Sequence, residues 1–177
     1  MEAFEEQVIL DSFEIIIDTR EQPTKKAEER YKAFEVPHSR HTLSYGDYTY
    51  NLTLPGGKLH DTSVTVQPPC IVERKMDLDE LAMCFTRSRA RFQAEFERAK
   101  QNNARIYLLV ENGSWEKLIG HKYRSKYNPV AFLASLTAWM VRYDLQVIFC
   151  SPLTSGRMIK ELLYRDAKER LERGEFG

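Results

Sequence analysis

The segment Glu73-Arg74-Lys75 places a carboxylate and an amine two positions apart at the end of an apolar run. On a β-strand, residues i and i+2 point to the same face, so Glu73 and Lys75 should project together while Arg74 points away. A carboxylate can help to hold a hard divalent cation, which polarises a phosphate and lowers the pKa of a bound water. A lysine can offset the developing negative charge or orient the attacking water. The triplet therefore indicates phosphodiester hydrolysis; an exposed ion pair between strands is the competing interpretation.

Further carboxylates follow two other apolar runs, where Ile15-Ile-Ile17 precedes Asp18 and Leu108-Leu-Val110 precedes Glu111. Strand ends at one edge of an open α/β sheet are where sites form. Two more acids are needed beside Glu73 to hold a metal ion, and Asp18 and Asp47 are the candidates. For each acid taken singly, a strand that simply reaches solvent is the competing interpretation.

Several of these residues also stand in an ordered pattern. Gly46-Asp47, a spacer, and Glu73-Arg74-Lys75-x-x-x-Asp79 resemble the GD(x)nERKxxxD signature of the XPF-type structure-specific nucleases, with every fixed position filled. Asp18-Thr-Arg20-Glu21 resembles the DxRE element of that family. Arg91-Phe-Gln-Ala-Glu95 is similar to its arginine-centred helix. The resemblance covers about residues 13 to 172.

The resemblance implies a restriction-endonuclease-like α/β fold with a mixed central β-sheet flanked by helices. It also implies dependence on Mg²⁺ or Mn²⁺ and cleavage of branched or flapped DNA near single-strand/double-strand junctions, as in DNA repair or recombination. By position, Asp18, Asp47 and Glu73 would be metal ligands, and Lys75 and Arg74 would complete the catalytic set. The expected supporting residues are Arg20, Glu21, Asp79 and Arg91.

Two simpler roles compete with these supporting ones. Arg20 and Glu21 could serve only in salt bridges, and Asp79 is an acid in a first helical turn, where it favours the helix dipole whatever the chemistry. Glu111 is a candidate for a more distant supporting role. A catalytically inactive DNA-binding or partner scaffold of the same fold is the alternative function, and the intact acids and lysine argue against it. A helix-hairpin-helix module, common after this domain in the family, is not recognised, so the resemblance concerns the nuclease domain alone.

The elements that must position these residues alternate between strands and helices, which predicts a single α/β domain over residues 1–177. Strands are expected at 13–18, 70–75, 105–111 and 145–150. Helices are expected at 25–34, at 77–100 with a break near Thr86, at 128–142 and at 154–173. A hairpin insertion is expected over about 49–67, with Pro55-Gly56-Gly57 as the turn between Leu52-Thr-Leu54 and Ser63-Val-Thr-Val66.

Lysines and arginines number 26, as do aspartates and glutamates, so net charge does not indicate a nucleic-acid binder and any basic surface must be local. Two clusters qualify, and cations there could meet phosphates while a tyrosine stacks on an unpaired base. The competing interpretation is a solvated helix face and a solvated loop. The predicted DNA-binding residues are Arg87, Arg89, Lys122, Tyr123, Arg124 and Lys126.

The remaining features concern location and assembly. Three cysteines without CxxC spacing, an acidic N-terminus and the lack of an 18-residue apolar stretch predict an intracellular, cytoplasmic protein, nucleoid-associated in a bacterium, neither secreted nor bound to membrane. The helix at 128–142 is apolar on most sides, which fits either a core helix or half of an interface. The resemblance implies that it and the helix at 154–173 form a symmetric homodimer.

Overall fold

A mixed sheet forms the centre of the protein, seen in a computed structural model that describes residues 3–176. The strands are β1 (Glu14–Asp18), β2 (His38–His41), β3 (Tyr48–Asn51), β4 (Thr53–Leu54), β5 (Gly57–Lys58), β6 (Cys70–Lys75), β7 (Arg105–Glu111) and β8 (Gln146–Cys150). The helices are α1 (Ala3–Asp11), α2 (Lys25–Lys32), α3 (Leu78–Phe85), α4 (Arg89–Gln101), α5 (Trp115–Ile119), α6 (Pro129–Tyr143) and α7 (Ser155–Glu172).

Six strands lie in the order β2-β1-β3-β6-β7-β8, and β4 and β5 form a separate hairpin. The pairs β1–β2, β6–β7 and β7–β8 are parallel, whereas β3 is antiparallel to both β1 and β6. The carboxyl ends of β1, β6 and β7 therefore meet at one edge, together with the start of β3. This edge, where Asp18, Asp47, Glu73 and Glu111 lie, positions the candidate site.

Helices cover both faces of the sheet. On one face, α3, α4 and α6 enclose an aromatic core in which the rings of neighbouring side chains have centroids 4.6–6.0 Å apart. On the other face, α1, α2 and α7 pack against β1, β3 and the alternate residues of β6 and β7. Burial on both sides explains why the central strands are nearly continuous apolar runs.

The predicted strand at 105–111 and the helix break near Thr86 are confirmed. Asp77 caps α3 by accepting a hydrogen bond from the backbone nitrogen of Glu80 at 2.8 Å, and Asn128 caps α6. The short helices α1 and α5 were not expected from the sequence. In the part of the chain that the structure describes, no helix is both long and apolar enough to cross a membrane.

The predicted hairpin between Leu52-Thr-Leu54 and Ser63-Val-Thr-Val66 was wrong in its second strand. The turn closes locally, so Thr53 pairs with Lys58 and Leu54 with Gly57. Val66 instead makes a parallel bridge to Leu43. The insertion therefore forms a small hairpin at the far end of β3 and then returns along the sheet beside β2.

Candidate active site

Asp18, Asp47 and Glu73 occupy neighbouring positions across three adjacent strands. Tyr48 pairs with both Ile17 and Val72, so the same register, extended by one residue, sets Asp47 opposite Asp18 and Glu73. Backbone hydrogen bonds continue through this row: the nitrogen of Asp18 donates to the oxygen of Asp47 at 2.8 Å, and the nitrogen of Asp47 donates to the oxygen of Val72 at 3.1 Å. Three acids distant in the sequence are thereby brought to one edge of the sheet.

The bend before β3 depends on Gly46. Its φ is +78°, in the left-handed region, and a Cβ added there would lie 2.7 Å from the Cβ of Ile71. Only glycine satisfies both the dihedral and the close approach. The bend lets the Oδ2 atom of Asp47 accept a hydrogen bond from the backbone nitrogen of Arg74 at 2.8 Å, which fixes this carboxylate against β6.

Glu73 and Lys75 share a face of β6, as the sequence predicted. The Nζ atom of Lys75 donates to the Oε1 atom of Glu73 at 2.6 Å, and both side chains are buried. The ammonium also lies 5.3 Å from the centroid of the Phe92 ring on α4, a cation–π distance. Lys75 is therefore held by a carboxylate on one side and an aromatic ring on the other.

Burial and mutual repulsion change the titration of this group. Burial raises the pKa of Asp47 well above its usual value and the charge of Glu73 raises it further, against the opposing charge of Lys75. Burial also raises the pKa of Glu73, although Lys75 lowers it. Burial alone would lower the pKa of Lys75, but the carboxylates of Glu73 and Asp47 outweigh it and raise that pKa. One ammonium thus lowers the pKa of two carboxylates. The net charge of the three ionised groups is negative, which would favour the binding of a further cation.

Asp18 is the least accessible of the three acids, at 1% exposure. Its carboxylate accepts a hydrogen bond from the Nε atom of Arg20. The Nη1 atom of the same arginine donates to the carboxylate of Glu95 on α4 at 3.0 Å. The backbone nitrogen of Leu43 approaches the same carboxylate at 3.5 Å. The predicted supporting residue Arg20 therefore occupies the position from which a cation would reach Asp18.

Within residues 3–176, no group of three histidine, cysteine or acidic side chains is already arranged to hold a metal ion. The donor chemistry nevertheless fits a hard divalent cation, which prefers carboxylate oxygens. Burial and the charge of Glu73 both raise the pKa of Asp47, and a cation bound by the two carboxylates would oppose this effect. For Asp18 to bind the same ion, its carboxylate would have to exchange the bond from Arg20 for the ion, and Arg20 could keep its bond to Glu95.

A second charged cluster lies on the opposite face of the sheet, where Arg74 points. Arg74 contacts Glu21 through Nε at 3.2 Å and Glu111 through Nη1 at 3.3 Å. Arg30 on α2 approaches Glu111 at 3.4 Å, and the hydroxyl of Tyr48 donates to Glu21 at 2.5 Å. Burial opposes ionisation of Glu21, but Arg74, the Tyr48 hydrogen bond and Arg30 together lower its pKa. These contacts support the salt-bridging role of Glu21.

Sequence reasoning missed Arg30, because it stands in a charged helix that looks solvated throughout. The structure buries it at 6% exposure, where its Nε atom also lies 3.4 Å from the hydroxyl of Ser155. The approach of α7 to α2 is close at Gly156, where an added Cβ would lie 2.3 Å from the backbone oxygen of Arg30. The sequence offered one sign of this contact, the small residues Ser155 and Gly156 at the start of the predicted helix at 154–173, which allow another helix to approach closely.

A cleft of about 940 Å³ opens along the edge where the acids lie. Asp47, Glu73 and Lys75 line it, and Arg91 on α4 adds a cation to the same wall. The far wall is formed by the start of α2 and by Pro152 and Leu153. An extended, charged substrate could reach Asp47 and Glu73 through this cleft, whereas the buried Asp18 does not line it.

Residues 17–162 match the model of the ERCC4 domain. This range takes in the acid row, Lys75 and most of the sheet. The chain belongs to the ERCC4 domain family. No curated protein matches this chain.

Two solved structures share the fold of this ERCC4 domain. XPF from Aeropyrum pernix is 18% identical, with a TM-score of 0.59 over 86% of this chain and 61% of that one. XPF from Aeropyrum pernix in complex with DNA is 19% identical, with a TM-score of 0.59 over 89% of this chain and 66% of that one. The chain thus spans less than two thirds of either matched chain. The likeness confirms the predicted restriction-endonuclease-like fold.

In this ERCC4 domain, Asp79, the last acid of the signature, binds residues of the segment that follows α5. The Oδ1 atom of Asp79 accepts a hydrogen bond from the backbone nitrogen of Ser125 at 2.6 Å, and its Oδ2 atom accepts one from the Nε atom of Arg124 at 3.2 Å. Burial would raise the pKa of Asp79, but these bonds outweigh it and lower that pKa. Asp79 therefore connects α3 to the loop at 121–127.

The predicted DNA-binding cations are exposed on this ERCC4 domain: Arg87 and Arg89 near the start of α4, and Lys122, Arg124 and Lys126 in the loop. Tyr123 differs from the expectation of base stacking. Its ring packs edge-on against Phe132, with centroids 5.5 Å apart, and its hydroxyl donates to the oxygen of Tyr127 at 2.7 Å. Because this side chain packs against the aromatic core at α6, the structure favours a role for Tyr123 in anchoring its loop to the domain.

Proposed function

We propose that this ERCC4 domain is a divalent-metal-dependent endonuclease that hydrolyses phosphodiester bonds in branched or flapped DNA near single-strand/double-strand junctions. The observation that carries the proposal is the pairing of Asp47 and Glu73, two acids with raised pKa values, with Lys75 in an open cleft. Raised pKa values of buried acids beside a specific charged partner in a cleft are typical of functional sites.

Asp47, Glu73 and Asp18 are the residues that would hold Mg²⁺ or Mn²⁺. When bound, such an ion polarises the phosphate and makes a coordinated water a stronger nucleophile. Lys75 would offset negative charge that develops on the phosphate, since its ammonium is fixed by Glu73 and Phe92 before substrate arrives. Arg91 on the cleft wall would bind a neighbouring phosphate.

DNA is the proposed substrate because the matched structure of Aeropyrum pernix XPF is a complex with DNA. The exposed cations at Arg87, Arg89 and the 121–127 loop supply a local basic surface on a chain whose formal net charge is zero. A DNA substrate is compatible with the intracellular, cytoplasmic location that the sequence predicts.

A symmetric homodimer through α6 and α7 is part of the proposal. Val130 and Val141 on α6 are 77% and 87% exposed. β8 is the last strand in the order of the sheet, and its residues 147–150 are only half-buried. Val147 and Phe149 of β8 pack against the same core cluster as the inner face of α6. An apolar helix face beside a sheet edge supports an interface with a second copy.

A test of activity uses labelled flap, fork, nicked and linear duplexes with Mg²⁺, Mn²⁺ or EDTA. Metal-dependent cleavage of the branched substrates is the expected result. One observation favours the alternative of a catalytically inactive scaffold, namely the engagement of Asp18 by Arg20. Binding of DNA without cleavage in either metal would establish that alternative instead.

A further inference from the structure

The loop at 121–127 alternates in exposure along its length. Lys122, Arg124 and Lys126 are exposed, whereas Tyr123, Ser125 and Tyr127 are half-buried. Both tyrosines contact Phe132 of α6, with ring centroids 5.5 and 5.3 Å apart. The alternation gives the loop one side that is anchored to the domain and another that presents three cations.

The two tyrosines fix the loop to α6 through Phe132. The contact that ties it to the cleft side is Asp79. This residue stands in the first turn of α3, between Met76 and Glu80, both of which line the cleft. The carboxylate of Asp79 thus joins the cationic loop to the element that directly follows Lys75.

The hydrogen bonds of Asp79 leave the cation available. The bond to Arg124 uses only the Nε atom, and the side chain of Arg124 remains 86% exposed. The bond from the backbone nitrogen of Ser125 fixes the main chain between Arg124 and Lys126. A polyanion that passes along the cleft edge would meet cations whose backbone is already ordered, which lowers the entropic cost of binding them.

We infer that Asp79 is a positioning residue, which holds the loop at 121–127 beside the cleft so that Lys122, Arg124 and Lys126 bind phosphates of the DNA substrate. This inference rests on the proposed function. It gives the last acid of the signature a role in substrate binding, while the acid row and Lys75 carry the chemistry.

The test compares Asp79→Ala with Asp77→Ala in the whole chain. Asp77 caps the same helix, through its bond from the Glu80 nitrogen, and is therefore a matched control for damage to the first turn of α3. Affinity for a labelled flap duplex is measured in EDTA over a range of salt concentrations. The single-turnover cleavage rate is measured at saturating DNA with Mg²⁺ or Mn²⁺. Hydrogen exchange is followed at the Ser125 amide.

For Asp79→Ala we expect an affinity about tenfold lower. The slope of log K against the logarithm of the salt concentration should become shallower by roughly two, since each phosphate contact contributes about 0.9 to it. The Ser125 amide should exchange faster, while the single-turnover rate at saturating DNA stays within about twofold of wild type. Asp77→Ala should leave affinity and Ser125 exchange unchanged. Asp79→Asn, which keeps an acceptor for the Ser125 nitrogen, should recover part of the affinity.

Two results would overturn the inference while wild type still cuts DNA. One is unchanged affinity in Asp79→Ala, and the other is a lower single-turnover rate at saturating DNA, which would place Asp79 in the chemistry. If Asp79→Ala does not fold, Ser125→Pro removes the donor on the loop side and must lower affinity in the same way. A wild-type protein that binds DNA but cuts none removes the proposed activity and leaves the binding comparison valid. A wild-type protein that does neither removes both proposals.

Discussion

At the scale of single residues, the site places like charges close together at a cost to the stability of the folded protein. Asp47 and Glu73 are held together in partly dehydrated surroundings, where Lys75 lowers the pKa of both and Arg20 also lowers that of Glu73. Residues that are poised for a ligand destabilise the protein without it. The clearest consequences concern the removal of one charge at a time.

Asp47→Asn should raise the melting temperature of the metal-free protein by a few degrees near neutral pH. The pKa of Asp47 is raised in the folded state, so the folded protein binds this proton more tightly than the unfolded chain does, and stability is lost as the pH rises through the raised pKa. Asparagine carries no charge to be buried and still accepts the hydrogen bond from the Arg74 nitrogen.

The measurement is thermal unfolding in EDTA and in Mn²⁺. Wild type should gain stability from Mn²⁺ by mass action, and Asp47→Asn should gain much less. A lower melting temperature for Asp47→Asn in EDTA would contradict the raised pKa.

Cleavage at subsaturating Mn²⁺ should fall as the pH is lowered toward the acidic range, starting above the usual pKa of a carboxyl group. Protons compete with the metal for Asp47 and Glu73, whose pKa values are both raised. More Mn²⁺ should move the midpoint of the pH profile to lower pH, which calorimetric titration of Mn²⁺ at several pH values would check independently. A midpoint insensitive to Mn²⁺ would show that another group controls the rate.

Lys75→Ala should reduce the cleavage rate by about 10²–10³-fold, the range found when one preorganised group that stabilises a transition state is removed. Lys58→Ala is the matched control, because Lys58 pairs with Glu14 on the surface of the domain. Circular dichroism should show the same fold in both variants. Wild-type rates in Lys75→Ala would remove the site assignment.

At the scale of elements, the geometry depends on the entry into β3. Gly46→Ala should lower the free energy of unfolding by about 2 kcal/mol or more, since it combines a left-handed φ with a contact of 2.7 Å to Ile71. Cleavage should fall as well, because relief of that contact displaces Asp47. Denaturant unfolding and the flap assay test this, with Gly56→Ala as control, since an added Cβ meets nothing within 4 Å there.

The same scale shows what the sequence could predict. Hydrophobic periodicity and caps placed β7, α3 and α6 closely, because those signals are local. The shared face of Glu73 and Lys75 was also predictable, because it follows from their spacing within one strand. The bond of Arg20 to Asp18 and the turn of Asp79 toward Ser125 were not predictable, because each joins side chains whose relative positions exist only after the sheet and helices have packed.

At the scale of the whole molecule, the proposed homodimer depends on the outer face of α6. A charged residue in a desolvated interface costs several kcal/mol, so Val130→Glu and Val141→Glu together should convert the proposed homodimer to a monomer without loss of helicity. Val64→Glu is the control, because Val64 is 61% exposed on the insertion, away from α6. Analytical ultracentrifugation at several protein concentrations measures the oligomeric state. A wild-type protein that is monomeric at all of them would contradict the proposed dimer.

The small hairpin of β4 and β5 leaves the sheet at the end of β3 opposite to Asp47, and its turn residues 55–58 are all exposed. Insertions are best tolerated at such tips. A fluorescent or affinity peptide spliced between Gly56 and Gly57 should therefore report on this nuclease domain from a distance, without disturbing the edge that it is meant to observe. The insertion between Asp47 and Glu73 thus offers a position for labelling the protein.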